Sequence, residues 1–287
     1  MARSPAGSFP GQPPPGSIYY GSSVPQHLNL TEWEKQLGHT LGVRRSFFDS
    51  GGHDTAHLLQ RCADDVAHNR LPHLSYKPLH SWASIAKGEH DAWLTKVFDA
   101  FATHEAPILF TLHHEPENDT GPDGMAAVDY VAMQMHAQEL AATLAPLVTV
   151  VPVLQQWTFD PMRDDIDPSQ WIVPDATAVG LDVYNEWSPT NGKEWRSFGS
   201  KASEVRDWFG DTPLVIGEYG CRIDPDLPGL AAEWMRDAAD YARQHGIVSM
   251  SYFNSWMNSP DGTWELQGET ESAFAELLAA DWVARPQ

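Results

Sequence analysis

Short apolar runs alternate with longer segments of helical periodicity along almost the whole chain. Each run is short enough to form one buried strand of a parallel sheet. Strands that alternate with helices form βα units, so this order predicts the α/β class. The eight runs span residues 17–20, 43–48, 71–77, 108–114, 149–155, 178–184, 214–219 and 247–253.

Eight βα units are the number that closes a (β/α)8 barrel, or TIM barrel, which needs about 250 residues. The chain has 287 residues. An open doubly wound sheet is the alternative, but its phosphate-binding GxGxxG turn follows none of the runs. We therefore predict one barrel domain over residues 17–287, preceded by a flexible lead-in, rich in Pro, Gly and Ser, over residues 1–16.

Several helices can be placed between the strands. Residues 91–102, 125–144 and 230–245 show a repeat of about 3.6 residues in their apolar positions. Thr31 and Glu34 have the spacing of a capping box, which predicts the start of the first helix.

The balance of charges bears on the partners of the protein. Eighteen basic against 39 acidic residues give a net charge of −21, which repels nucleic acids and anionic lipids. No stretch approaches the roughly 20 apolar residues of a membrane span. The chain has 12 Trp, whose flat faces suit sugar rings, although most Trp residues pack inside proteins. We expect a neutral substrate and neither a nucleic acid nor a membrane as partner.

The fourth strand candidate ends in side chains that can do chemistry. His113, His114 and Glu115 stand there in a row, and Pro116 follows. In a barrel, the carboxyl ends of all strands surround one opening, where catalytic residues are found. A zinc site of the HExxH type is the alternative. It needs two His on one helical turn, but the sequence has Asn118 in the second place, and Pro116 would break that helix.

A second carboxyl group ends the seventh strand candidate, where Glu218 follows the apolar run 214–217. It could pair with an arginine inside the barrel, but together with Glu115 it forms a constellation with a mechanism. Strands four and seven face one another across a barrel of eight strands. Two carboxylates there can lie about 5 Å apart, the separation used for glycoside hydrolysis with retention.

These residues resemble the clan A glycoside hydrolases, which pair a Glu on strand four with a Glu on strand seven. Most of that clan has Asn before the first Glu, whereas family 26, the β-mannanase family, has His, as His114 here. The resemblance extends from about Tyr19 to Trp282, although its motifs are a few short strings. It implies that residues 17–287 are a catalytic barrel that cleaves a β-linked glycan, with an endo-β-1,4-mannanase as the best match.

The resemblance also implies roles for individual residues. Glu115 would be the general acid/base and Glu218 the nucleophile, while His114 would contact the sugar or the nucleophile. Tyr184 on strand six matches the tyrosine that bonds the nucleophile, and an arginine near the end of strand two keeps that nucleophile ionised. Arg44 and Arg45 both qualify but point to opposite faces of the strand; we choose Arg45. Two further residues are expected to bind the substrate: Asn185, beside Tyr184, and Trp256, under the sugar after strand eight.

The sequence departs from the family in two places. Strand three ends in Lys77, which would contact a sugar hydroxyl, an acidic sugar or another ion. The residues after Pro116 are acidic instead of aromatic. Glu117, Asp119 and Asp123 could bind Ca2+, but a solvated acidic loop is the simpler interpretation because the EF-hand spacing is absent.

We expect a retaining O-glycoside hydrolase that needs no cofactor and no metal, acts as a monomer and is extracellular. Xylan, a mixed-linkage glucan or a surface glycan are the alternative substrates. Two other classes compete with this prediction. One is an inactive barrel that only binds carbohydrate. The other is a metal-dependent hydrolase, with His113, His114 and Glu117 as ligands.

Overall fold

The structure, a computed structural model, describes residues 9–49, 55–257 and 262–286. Strands and helices alternate within these residues. The strands are β1 (Tyr19–Ser23), β2 (Val43–Asp49), β3 (Leu71–Lys77), β4 (Ile108–Leu112), β5 (Val148–Val150), β6 (Val153–Gln155), β7 (Val179–Asn185), β8 (Leu214–Cys221) and β9 (Ile247–Tyr252). The helices are α1 (Leu30–Leu37), α2 (Thr55–Ala67), α3 (Trp82–Ala86), α4 (Asp91–Ala102), α5 (Ala127–Leu144), α6 (Phe198–Phe209), α7 (Pro228–Gln244) and α8 (Glu269–Leu278).

The strands form one parallel sheet in the order β5-β4-β3-β2-β1-β9-β8-β7-β6. The outermost strands, β5 and β6, are consecutive halves of one strand, separated by Val151 and Pro152. Val151 N donates to the carbonyl of Phe110 in β4 at 2.8 Å, and Gly180 N in β7 donates to the carbonyl of Pro152 at 2.7 Å. The sheet therefore curls until its two edges meet, which confirms the predicted (β/α)8 barrel.

The predicted elements agree with the observed ones except near some ends. The first strand begins and ends later than predicted, and α4 spans the predicted residues. The predicted capping box is wrong, because Asn29 caps α1 by accepting a hydrogen bond from Glu32 N at 3.2 Å. Glu34 instead binds Arg70, with Oε2 2.7 Å from Nη2. Asn29 precedes the helix and Thr31 lies inside it, so only Asn29 can accept from the exposed N–H groups.

The lower end of the barrel is filled by apolar side chains. Phe9 is only 5% exposed and belongs to this cluster. Phe9, in the second half of the predicted flexible lead-in, therefore packs against the barrel, whereas residues 14–16 are exposed. The physical reason is that Phe9 covers the open bottom of the strands. The other cluster members are Tyr19, Val43, Leu71, Leu109, Val151, Val153, Ala178, Val215, Val248 and Ala284.

Among the described residues, no helix is both long enough and apolar enough to span a membrane.

Candidate active site

Three carboxyl groups meet inside the upper end of the barrel. Glu115 follows β4, Asp182 lies in β7 and Glu218 lies in β8. One oxygen atom from each lies within 4.8 Å of the others. The structure therefore brings together the two carboxylates that the sequence pointed to, and it adds a third one.

Glu115 stands on an unusual turn. Its φ angle is 50°, and that of His113 is 63°, so both have left-handed backbone conformations that cost about 1–2 kcal/mol each. Neighbouring strands hold the turn: His113 N donates to Tyr76 O at 2.9 Å, and Glu115 N donates to Val153 O at 3.0 Å. Asn118 Nδ2 donates to Glu115 Oε2 at 3.2 Å. The acid/base candidate is thus oriented by its own turn.

The surroundings of Glu115 favour its neutral form. Burial, followed by the negative charge of Glu218, raises the pKa of Glu115 to about 8. A carboxyl group with this pKa carries a proton at neutral pH and can act as a general acid.

Glu218 is 6% exposed and has stabilising partners for its negative charge. Burial raises the pKa of Glu218, but the charge of Arg45 and a 2.5 Å hydrogen bond from the Tyr184 hydroxyl oppose that rise. Both partners therefore stabilise the ionised form of Glu218 against the effect of burial.

Asp182 is the residue that the sequence reasoning missed. It is 1% exposed and lies opposite Glu218 in the register of β7 and β8. Burial, and then the charges of Glu218 and Glu115, raise the pKa of Asp182 well above its ordinary value. Its oxygens have no donor among the described residues, so a proton on either carboxyl can bridge Asp182 and Glu115. Strand alternation could have predicted Asp182, because it lies two residues before Tyr184 and therefore on the same face of β7.

Gly217 and Gly220 make room for this arrangement. A Cβ atom on Gly217 would lie 2.7 Å from Asp182 Oδ1. A Cβ atom on Gly220 would lie 3.1 Å from the Trp264 ring and 3.3 Å from the Tyr184 ring. The Gly-Glu-Tyr-Gly string of β8 therefore permits close packing around the nucleophile candidate.

The two arginines of β2 separate as strand alternation requires. Arg44 points outward and pairs with Asp64 at 2.9 Å and Asp65 at 3.1 Å. Arg45 points inward, is 1% exposed and stacks 4.9 Å above the centre of the Phe47 ring. Its three guanidinium nitrogens have no hydrogen-bond partner within the described part of the chain, so its charge acts on the carboxyls through space.

The two histidines of the turn are neutral and bonded to other groups. His114 Nδ1 lies 2.7 Å from Ser75 Oγ, and burial lowers the pKa of His114 well below its ordinary value. His113 Nε2 lies 2.9 Å from Asp119 Oδ2, and burial lowers the pKa of His113 to about 4. His113 and His114, which a zinc site would need as ligands, are thus bonded to separate partners.

Of the acidic residues after Pro116, Glu117 is buried, whereas Asp119 and Asp123 are exposed, as predicted for a solvated loop. Glu117 is 9% exposed, and its Oε1 accepts from Gln155 N at 3.0 Å and from Thr158 Oγ1 at 2.6 Å. Asp119 binds Lys77, with Oδ2 2.6 Å from Nζ. Glu117 and Asp119 are thus bonded to other groups, which opposes the Ca2+ interpretation for these two residues. Lys77 therefore already has a counter-ion at the mouth of the barrel.

Two of the remaining predicted contacts have different surroundings. Asn185 is buried with its amide nitrogen 3.6 Å from Cys221 Sγ, and its oxygen accepts from Trp187 N at 3.3 Å. Asn185 therefore points away from the Tyr184 face, and expecting it in the substrate site was wrong, because adjacent strand residues face opposite sides. Trp256 is 66% exposed after β9. Tyr184 packs instead against Trp264, with ring centres 4.9 Å apart.

The three carboxyls are also the one group of metal-ligating side chains found together within the described ranges. Arg45 supplies a positive charge to all three of them. A cation could bind there only with Glu115 and Asp182 deprotonated, which their raised pKa values oppose at neutral pH.

No family model matches the sequence, and no curated protein sequence matches it. Solved structures do resemble the fold. GH26A from Muricauda sp. is 13% identical with a TM-score of 0.57, over 93% of this chain and 90% of that one. A modular endo-β-1,4-mannanase from Cellulomonas fimi is 14% identical with a TM-score of 0.58, over 93% and 72%. The GH53 catalytic domain of Ignisphaera aggregans is 13% identical with a TM-score of 0.63, over 95% and 99%. The chain therefore has the barrel fold of these clan A glycoside hydrolases.

Proposed function

We propose that the protein is a retaining glycoside hydrolase that cleaves a β-linked polysaccharide. One observation carries this proposal: a carboxyl oxygen of Glu115 lies within 4.8 Å of one of Glu218, and the two carboxyls have different neighbours. Arg45 and Tyr184 oppose the rise in the pKa of Glu218, whereas the charge of Glu218 adds to the rise in the pKa of Glu115. Retaining enzymes separate their carboxyls by about 5–5.5 Å, whereas inverting enzymes leave about 6.5–9.5 Å for a water molecule. The observed spacing supports direct attack by one carboxylate.

In the first step, Glu218 attacks the anomeric carbon and forms a covalent bond to it. The bond from that carbon to the leaving oxygen breaks, and the leaving oxygen takes the proton of Glu115. Tyr184 binds Oε2 of Glu218, which leaves its other oxygen for the attack. Arg45 stabilises the charge of the nucleophile before the reaction.

In the second step, Glu115 is ionised and acts as a base. It removes a proton from water, and the resulting oxygen attacks the anomeric carbon from the side that the leaving group vacated. The bond to Glu218 then breaks, which returns both carboxyls to their starting states. The two inversions together retain the configuration of the sugar.

The proposed substrate is a mannan, cleaved internally at β-1,4 linkages. His114 before the acid/base and the similarity to a mannanase fold support this choice. Xylan, β-glucan or a surface glycan is the alternative, because one barrel fold serves many substrates. Because a chain of many sugars is too large to enter a cell, we further propose that the protein is extracellular. We also propose that it acts as a monomer and needs no cofactor.

A product screen tests the proposal. The purified protein is incubated with β-mannan, xylan, mixed-linkage glucan and galactan, and released oligosaccharides are measured by mass spectrometry. The anomeric form of the first product is followed by NMR. We expect one glycan to give β-anomeric products initially. Binding of a glycan without cleavage would favour the carbohydrate-binding barrel, and α-anomeric products would contradict retention.

A further inference from the structure

The turn that bears Glu115 contains a second glutamate with no part in the mechanism above. Glu117 is buried, although it lies only two residues from the acid/base. Burying a carboxyl is costly unless its oxygens find hydrogen-bond donors. Oε1 of Glu117 accepts two hydrogen bonds, and Oε2 is buried without a partner among the described residues. A merely solvated acidic side chain would not be held in this way.

The partners of Glu117 belong to the neighbouring strand. Gln155 ends β6, and Thr158 lies in the short 3-10 turn that follows. Glu117 therefore links the turn after β4 to the rim after β6. Two other hydrogen bonds hold the same turn. Glu115 N donates to Val153 O, and His113, before Glu115, is bonded to Asp119, after it. The left-handed backbone at Glu115 is thus fixed from both sides.

From this geometry we propose that Glu117 is a positioning residue for Glu115, because it fixes the turn of Glu115 through β6. When ionised, Glu117 also favours the protonated form of Glu115. The inference rests on the proposed glycoside hydrolase function. The carboxyl of Glu117 has a pKa raised to about 7, mainly by burial, and its charge raises the pKa of Glu115. The ionisable groups that face Glu117 are Lys77 from β3, Glu115 from its own turn, Tyr130 from α5 and Asp182 from β7.

Two substitutions separate the two parts of this role. Glu117→Gln keeps an oxygen that can accept from Gln155 N and Thr158, but it removes the charge. The pKa of Glu115 should then fall, so the basic limb of the kcat/KM profile should move to lower pH by about 0.5–1 unit. Activity at the new optimum should stay within about threefold of the wild type, because the turn is still anchored.

Glu117→Ala removes the anchor as well. Turnover of the natural glycan, which needs a well-placed acid, should fall by about 10- to 100-fold. Formation of the covalent intermediate from an activated aryl glycoside should fall far less, because its leaving group needs no proton. A general loss of folding would instead reduce both rates together and would lower the Tm.

Asp123→Asn is the matched control. Asp123 is exposed in the same loop, and Asn tolerates its left-handed φ of 64°. This variant removes the same charge but should keep the pH profile and both rates of the wild type.

The outcomes distinguish this inference from the function on which it rests. If the wild type cleaves none of the glycans or aryl glycosides, the proposed function fails. If the wild type is active but Glu117→Gln leaves the basic limb unchanged, or Glu117→Ala slows both substrates equally at an unchanged Tm, the role of Glu117 is wrong. The role of Glu117 is supported if the basic limb of the kcat/KM profile moves in Glu117→Gln while Asp123→Asn behaves like the wild type.

Discussion

The hydroxyl group of Tyr184 donates a 2.5 Å hydrogen bond to Oε2 of Glu218. Because Tyr184 packs against the rings of Phe253 and Trp264, it holds the carboxylate in one orientation. The bond also opposes the effect of burial on the pKa of Glu218. A nucleophile must be ionised and aimed, and one neighbouring side chain contributes to both requirements.

Replacing Glu218 by glutamine tests that role. The amide oxygen of Glu218→Gln can still accept from Tyr184, so the barrel should fold and its Tm should stay close to that of the wild type. Activity should fall by several orders of magnitude, since an amide cannot form the covalent intermediate. Glu139→Gln, the same change on an exposed face of α5, is the control. Near-normal hydrolysis by Glu218→Gln would remove this residue from the mechanism.

Azide distinguishes the acid/base from the nucleophile. In Glu115→Ala, an activated aryl glycoside should still form the intermediate on Glu218, but no base remains to activate water. Azide needs no deprotonation, so it should restore turnover and give a β-glycosyl azide of retained configuration, which NMR identifies.

The Glu218→Gly variant should give the opposite stereochemistry. Azide fits the space that the nucleophile vacated and attacks from that side, which yields the inverted α-azide. An α product from Glu115→Ala would require the two roles to be exchanged. Absence of rescue in both variants would contradict the pair altogether.

The raised pKa of Glu115 makes folding stability depend on pH. The folded chain holds this proton up to a pKa of about 8, against an ordinary value of 4.5. Stability from this group is therefore fully present below pH 4.5 and is lost as the pH rises through about 8. Glu115→Gln cannot ionise, so it should equal the wild type near about pH 4 and exceed it by roughly 1–3 kcal/mol near about pH 9. The gain stays in this range because Glu115 is partly exposed to solvent and its protonation is coupled to that of Glu218.

Thermal unfolding of wild type, Glu115→Gln and Glu139→Gln across this pH range measures the effect. Only Glu115→Gln should gain stability relative to the wild type as the pH rises. A constant difference at all pH values would mean that Glu115 is not the group with the raised pKa.

Removal of metal ions tests the competing hydrolase class. Exhaustive treatment with a chelator should leave glycan hydrolysis unchanged, since Glu115 and Glu218 need no Lewis acid and Arg45 already supplies a positive charge. Metal content before and after treatment is measured on the same sample. Loss of activity that Zn2+ alone restores would reverse this assignment.

The sequence by itself determined the barrel fold and predicted that Glu115 and Glu218 would lie together, as they do in the structure. The order of apolar runs and helical segments permits few topologies, and the ends of parallel strands meet at one opening. Glu115 and Glu218 could therefore be predicted as neighbours from their strands alone. Strand alternation also favoured an inward arginine on β2, where the structure places Arg45.

Only the tertiary structure decided which other side chains share that space. Alternation tells which face a residue lies on, but not how deeply it is buried or what lies opposite. Asp182 lies within 4.8 Å of both glutamates because β7 and β8 pair in a register broken beside Gly217. The burial of Glu117 depends on donors at Gln155 and Thr158, and that of Phe9 depends on the closed bottom of the barrel. These contacts join residues far apart in the chain. Their energies depend on distances between atoms in three dimensions, which cannot be read from the sequence.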